Sequence, residues 1–197
     1  MKIRSLLICA VVLLIPSFLY LLVTILVGPF FKDFDNTDFI SYVFVIFVSS
    51  ILIYRFKLYQ FIKIGIPQKQ LFFYVSGIIV LGVLTLFVMN NFSFQFSLNF
   101  EKHLIVRYVK IIFLAAIFEE IIFRGITFEY LESKSTNKWI ILLFTSLIFG
   151  FIHLPGLFYF INAFIFAIFS GIIYLKERNL IYPIIMHSFY NLFWILF

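Results

Sequence analysis

Ile140-Ile141-Leu142-Leu143-Phe144-Thr145-Ser146-Leu147-Ile148-Phe149-Gly150-Phe151-Ile152 is a nearly unbroken apolar run, and its reading decides the fold. A membrane strand would alternate apolar and polar residues over short segments. This run does not alternate, so it reads as helix. A helix needs about 20 mostly apolar residues to cross the hydrocarbon core. Working outward, seven stretches approach that requirement: approximately 6–29, 38–56, 71–90, 104–127, 138–154, 157–175 and 180–197. The expected fold class is all-α, a polytopic transmembrane helix bundle of about seven spans.

Composition agrees. Of 197 residues, 64% are hydrophobic and 12% charged, where soluble domains run nearer half and a quarter. A soluble domain this small could not hide so much apolar surface. No polar linker, internal repeat or low-complexity tract divides the chain, so 1–197 reads as one integral membrane domain. The formal net charge of +6 does not call for nucleic acid. Lys and Arg fall in loops and at helix ends, where anionic headgroups of the lipid bilayer receive them. The single cysteine, Cys9, excludes an intramolecular disulfide and a structural zinc cluster of Cys/His type.

Met1-Lys2-Ile3-Arg4 resembles the charged start of a secretory signal. The apolar run continues past Val27 without a small-residue cleavage site, so a retained first span is expected. Basic residues then recur in alternate loops: Lys2 and Arg4, then Arg55, Lys57, Lys63 and Lys69, then Lys134 and Lys138, then Lys176 and Arg178. The positive-inside rule puts these loops and the N-terminus in the cytoplasm. Arg107 and Lys110 fit that pattern poorly, and are expected to snorkel or to face a polar interior.

Ionisable groups inside spans are costly, and their default reading is functional. Three places hold them: Glu119-Glu120 with Arg124, then His153 after Phe149, then His187 with Asn191. Glu120 and Arg124 are four apart, on one helix face, and can pair. Glu119 points about 100° away and is free to face something else. A carboxylate so placed can take a proton from water and return it to a leaving amine. His187 and Asn191, also four apart, project into one space and can hydrogen-bond a carbonyl or a developing oxyanion.

Plainer readings compete. A buried Glu–Arg pair can be purely structural, and a membrane histidine can be an interhelical contact. Tyr182, Tyr190 and Trp194 read as packing or interface aromatics, and Phe149 as packing beside His153. Lys134, Lys138, Lys176 and Arg178 read as solvated loop charges, with Glu129 and Glu132 beside them at the cytoplasmic face.

Taken together, Glu119-Glu120-x-x-x-Arg124, Phe149-x-x-x-His153 and His187-x-x-x-Asn191 resemble the pattern of the CPBP family (CAAX protease and bacteriocin-processing, or Abi). The resemblance covers roughly Arg107 to Phe197, within a motif-bearing core of about 104–197. It implies an intramembrane endopeptidase with a peptide or protein substrate at the membrane. It further implies that Glu119 activates water with His153 as partner. His187 and Asn191 would stabilise the oxyanion or hold the water, and Glu120 with Arg124 would orient the site. Prenylated peptides are one substrate class of that family. The short chain fits better its bacterial members, in a plasma membrane, with the site opening to the cytoplasmic side.

Glu119, His153 and His187 also match the ligand set of a catalytic divalent metal such as zinc. No His-Glu-x-x-His motif is present, and Arg124 competes for Glu120, the base a metal site would need. The metal-free reading is therefore preferred. The rivals are a non-catalytic membrane protein, acting in bacteriocin immunity or as a scaffold, and a proton-coupled transporter. A transporter would show inverted repeats and broken helices, which the sequence lacks.

Overall fold

The structure, a computed structural model, describes residues 18–20, 22–26, 28–30, 34–89, 102–134, 137–153 and 156–196. Most of the first expected span, with Lys2, Arg4 and Cys9, lies outside the described residues. The described residues are all-helical, as backbone in lipid must be unless it closes into a barrel. We label the main helices α1 (Phe34–Arg55), α2 (Gln70–Met89), α3 (102–132), α4 (Lys138–Ile152), α5 (Leu157–Glu177) and α6 (Ile181–Leu196).

The bundle holds a polar cluster within an apolar core and has an apolar exterior. Phe47, Phe72, Phe73, Ile140 and Phe151 are exposed, while Glu120, Arg124, Ser170 and His187 are buried. That inverts the soluble pattern and suits a lipid surround. Among the described residues, only α5 is both long and apolar enough to cross a membrane unaided. The other apolar helices are shorter, 39–55, 70–85, α4 and α6 among them, so the described residues do not establish the seven spans expected. The 15 residues of α4 rise only about 22 Å, short of the roughly 30 Å core.

Close packing of α4 on α5 depends on small residues. A Cβ built on Gly171 would stand 2.3 Å from Leu142 Cδ1, and one on Gly150 3.1 Å from the Phe160 carbonyl. On the far side, α2 packs against α6, and the middle of α3 lies against α6.

One end of the bundle is tied by its loops. Left-handed Lys57 (φ 56°) ends α1, and left-handed Arg178 (φ 51°) ends α5. The 62–69 segment then joins the α5–α6 turn. Gly65 N donates to Asn179 Oδ1 (2.9 Å), Leu180 N to the Lys63 carbonyl (2.8 Å), and Gln68 N to Tyr182 Oη (2.8 Å). Asn137 caps α4, its Oδ1 accepting from Trp139 N at 2.9 Å.

Arg178 departs from the expected solvated loop charge. It pairs with both Glu132 oxygens and with Glu129 Oε1 at 2.9 Å. Glu129 is buried rather than facing water, and also accepts from Tyr174 Oη (2.8 Å) and Lys63 Nζ (2.5 Å). A helix terminus carrying that much unpaired charge would be unstable, so the charges satisfy one another and clamp three loops. Lys134 and Lys138 stay exposed, as expected, against the rings of Tyr130 and Trp139.

Candidate active site

Helix α3 carries the two glutamates on a short α-helical turn, Ala116–Glu120, between two π-helical stretches, Lys110–Ala115 and Ile121–Phe128. Such widened turns recur at functional sites because they re-aim side chains out of the 3.6-residue register. Here they frame the most polar point of the bundle.

Glu120 faces inward and is completely buried. Its Oε1 accepts from Arg124 Nη1 at 3.2 Å, confirming the pair expected from helical spacing, and Oε2 accepts from Ser170 Oγ at 3.3 Å. Arg124 also donates from Nη2 to the Ala167 carbonyl at 3.0 Å and lies 5.1 Å over the Phe149 ring. Sequence reasoning missed a further partner, His187 Nδ1, 3.0 Å from Glu120 Oε1. A carboxylate paired with Arg124 can only accept, so Nδ1 carries a proton, and in the neutral ring the Nε2 lone pair points away.

Glu119 turns the other way, towards a cavity of about 630 Å³. Its Oε2 is buried and makes no hydrogen bond among the described residues. It lies 3.9 Å from His153 Nε2 and 3.9 Å from His187 Nε2. His153 is fixed by the same logic as His187. Its Nδ1 is 2.7 Å from the Phe149 carbonyl, which can only accept, and its ring stacks on Phe149 with centroids 4.5 Å apart. Phe149, expected as packing, is thus also the residue that sets the His153 tautomer.

The three site segments therefore converge as expected. Three acceptors, one carboxylate oxygen and two imidazole nitrogens, face a common gap, and none can satisfy another. A water molecule about 2.8 Å from Glu119 Oε2 and from either nitrogen would subtend roughly 90° and bring the missing donors. A metal ion fits less well. Ligands at about 2.1 Å in a tetrahedron stand roughly 3.4 Å apart, closer than the 3.9 Å seen here. Among the described residues, no group of three His, Cys, Asp or Glu side chains is placed to hold one.

Asn191 reaches the same cavity wall, but its Nδ2 donates to the Ile111 carbonyl at 2.8 Å. One N–H thus remains for an oxyanion, and the amide also braces the first π-helical stretch. Lys110 is buried and lines the cavity, resolving the choice left by its position, whereas Arg107 is exposed. Tyr190 is more than packing, because its hydroxyl donates to Asn162 Oδ1 at 2.5 Å.

On the cavity walls, Glu119, Lys110 and Asn191 each lie well along their helices from the Arg178–Glu132 clamp. By helical rise, Glu119 lies about 15 Å from Glu129 and His153 about 22 Å from Lys138.

Fold and site together define a helical bundle with an apolar exterior and a carboxylate–imidazole centre at its core. Residues 101–193, just under half of the chain, match the Type II CAAX prenyl endopeptidase Rce1-like family. That stretch, which holds Glu119, Glu120, Arg124, His153, His187 and Asn191, is thus similar to a family of membrane-embedded CAAX-type proteases in the CPBP group. No curated protein and no solved structure matches the chain.

Proposed function

We propose that the protein is an intramembrane endopeptidase in which Glu119 activates water for attack on a peptide bond, without a metal. The observation that carries this reading is the orphaned Glu119 Oε2, 3.9 Å from two imidazole nitrogens that are themselves acceptors. Water held there gives one proton to Glu119 as its oxygen attacks the scissile carbonyl. The tetrahedral adduct collapses when Glu119 returns that proton to the departing amine. His187 and His153 hold and orient the water, and the remaining Asn191 N–H is the donor available to the oxyanion. Glu120 and Arg124 act through His187, so they are positioning residues.

The substrate is a membrane-associated peptide, and a lipidated one suits the site. An apolar groove of about 360 Å³, with walls including Ile46, Ile53 and Leu114, runs between α1 and α3. Phe118 belongs to the walls of both groove and cavity, so a hydrocarbon tail could lie in the groove while its peptide reaches Glu119.

We further propose a bacterial plasma membrane, about seven spans, and the basic loops and N-terminus in the cytoplasm. The walls favour entry from the opposite half of the bundle, in place of the cytoplasmic opening expected from the sequence. Maleimide labelling of Ile111→Cys in a Cys9→Ser background tests the side. Labelling of intact cells by an impermeant reagent supports outer access, and protection until permeabilisation refutes it.

Purified protein in proteoliposomes, given lipidated peptides with and without chelator, tests the chemistry. Cleavage should survive chelation and vanish in Glu119→Ala and His153→Ala proteins that still insert. Loss of cleavage on chelation, restored by zinc, would refute the metal-free step. Full cleavage by either mutant would refute the assignment of residues.

A further inference from the structure

The cavity that Glu119 faces carries a second charge. Among the described residues of its walls, Glu119 is the one carboxylate and Lys110 the one lysine or arginine. Both stand on α3, nine residues apart, so roughly 13 Å of helical rise separates them. Lys110 opens the first π-helical stretch, Lys110–Ala115, and is only 8% exposed. Arg107, about one turn earlier, is exposed, as a side chain reaching for headgroups should be. Lys110 is turned inward instead.

A buried ammonium in a membrane layer is costly, and its default reading is functional. Apart from Glu119, the walls around it are apolar side chains, tyrosines, two imidazoles and one amide. A lysine ammonium has three donors, so it can take an anionic ligand alongside a partner within the protein. The site is read above as proteolytic, and an unmodified peptide offers anions at neutral pH only as carboxylates.

We propose that Lys110 is a specificity-determining residue that reads a substrate carboxylate. The inference rests on the proteolytic reading above. Two arguments fix the arrangement. Glu119 repels an anion and Lys110 attracts one, so the field across the cavity puts a neutral scissile bond at Glu119 and the carboxylate at Lys110. An extended chain advances about 3.3–3.6 Å per residue, so it covers roughly 13 Å in about four residues. The carboxylate therefore lies about three to five residues from the cleaved bond. Either a chain terminus or an Asp or Glu side chain supplies the same chemistry there.

The test uses lipidated peptides and full-length protein in proteoliposomes. One peptide series ends in a free carboxylate or in its amide, with the terminus at the third, fourth or fifth residue beyond the cleaved bond. A second series is amidated and carries Asp or Asn at the third to fifth position on either side. Wild type, Lys110→Met and Lys110→Gln are compared, with thermal melts to confirm folding. In at least one series, wild type should favour the carboxylate over its neutral counterpart by about tenfold or more in kcat/KM. The series that shows it identifies the source of the carboxylate. The difference should fall mainly in KM, because a contact remote from the reacting carbonyl is made equally in ground and transition states. Lys110→Met and Lys110→Gln should bring the ratio to within about twofold of one. A wild type that cleaves but prefers neither kind of carboxylate overturns the assignment. So does a preference that survives in a folded Lys110→Met or Lys110→Gln protein, or the failure of both to fold, which would make Lys110 a structural residue. A wild type that cleaves none of the peptides removes the proteolytic reading, and the assignment falls with it.

Discussion

Glu119 and Glu120 are neighbours with opposite standing in the fold, and glutamine substitution should separate them. Glu120→Gln keeps the shape but removes the charge that Arg124 faces. The other hydrogen bond of Arg124 goes to a neutral carbonyl, and the residue is 2% exposed, so its buried guanidinium would keep only the unbonded Glu119 as a charge partner. Breaking a buried pair in that way costs about 3–5 kcal/mol. Glu119 also attracts Arg124 electrostatically, so that range is an upper limit, and on the scale of soluble domains of this length it lowers Tm by at most roughly 6–20 °C.

Glu119→Gln removes no existing hydrogen bond of Oε2, and it replaces a desolvated carboxylate by a neutral amide. Stability should change by no more than about 0.5 kcal/mol or should rise. Turnover should still fall about 10²–10⁴-fold, the usual worth of a general base. Thermal unfolding of the purified variants in detergent, followed by tryptophan fluorescence, reads the first quantity. Cleavage of a quenched fluorescent peptide reads the second. The reasoning is refuted if Glu119→Gln melts as low as Glu120→Gln, because Glu119 would then be structural, or if it retains wild-type turnover.

Gly171→Ala should destabilise by about 1–3 kcal/mol through overpacking, because its Cβ meets Leu142 Cδ1. Adding Leu142→Ala should recover part of the loss in the same melt. Asn137→Ala should cost about 1 kcal/mol by uncapping α4, seen as a lower Tm with an unchanged substrate profile. Glu132 lies beyond the expected span, and hydrogen bonds from Arg178, opposed by partial burial, hold its carboxyl below the ordinary value. A depressed folded pKa stabilises above the unfolded value of about 4.3, and that contribution is lost as pH falls through the folded value. Between about pH 5 and pH 3, wild type should therefore lose Tm more steeply than Glu132→Gln, by a small margin because the group is partly exposed.

The sequence made legible what depends on one helix at a time. Helical period alone put Glu120 beside Arg124 and turned Glu119 elsewhere, and both hold. Hydropathy gave the helical class, because lipid leaves the backbone few other solutions. What it could not give depends on packing between helices. Ser170 and the Ala167 carbonyl belong to α5, which carries no motif, and only the packing of the bundle brings them to Glu120 and Arg124. The π-helical stretches leave no mark in composition. The burial of Glu129 and its pairing with Arg178 were missed because loop charges were read as solvated, whereas in one tight cluster they neutralise one another.

The adjacent glutamates work as a pair because an imidazole has two nitrogens on different edges of its ring. In a helix, successive side chains diverge by about 100°, so one residue can serve the interior while the next serves a cavity. His187 touches both, Nδ1 towards Glu120 and Nε2 towards Glu119. Arg124 and Ser170 keep Glu120 a pure acceptor. That fixes the proton on Nδ1 and leaves Nε2 as a lone pair facing a carboxylate that cannot satisfy it. The unmet hydrogen-bonding demand at Glu119 is thus a consequence of how completely Glu120 is satisfied. In a layer that excludes water, such a demand is a local affinity for a small donor, and it is strongest at the atom positioned to take the donor's proton.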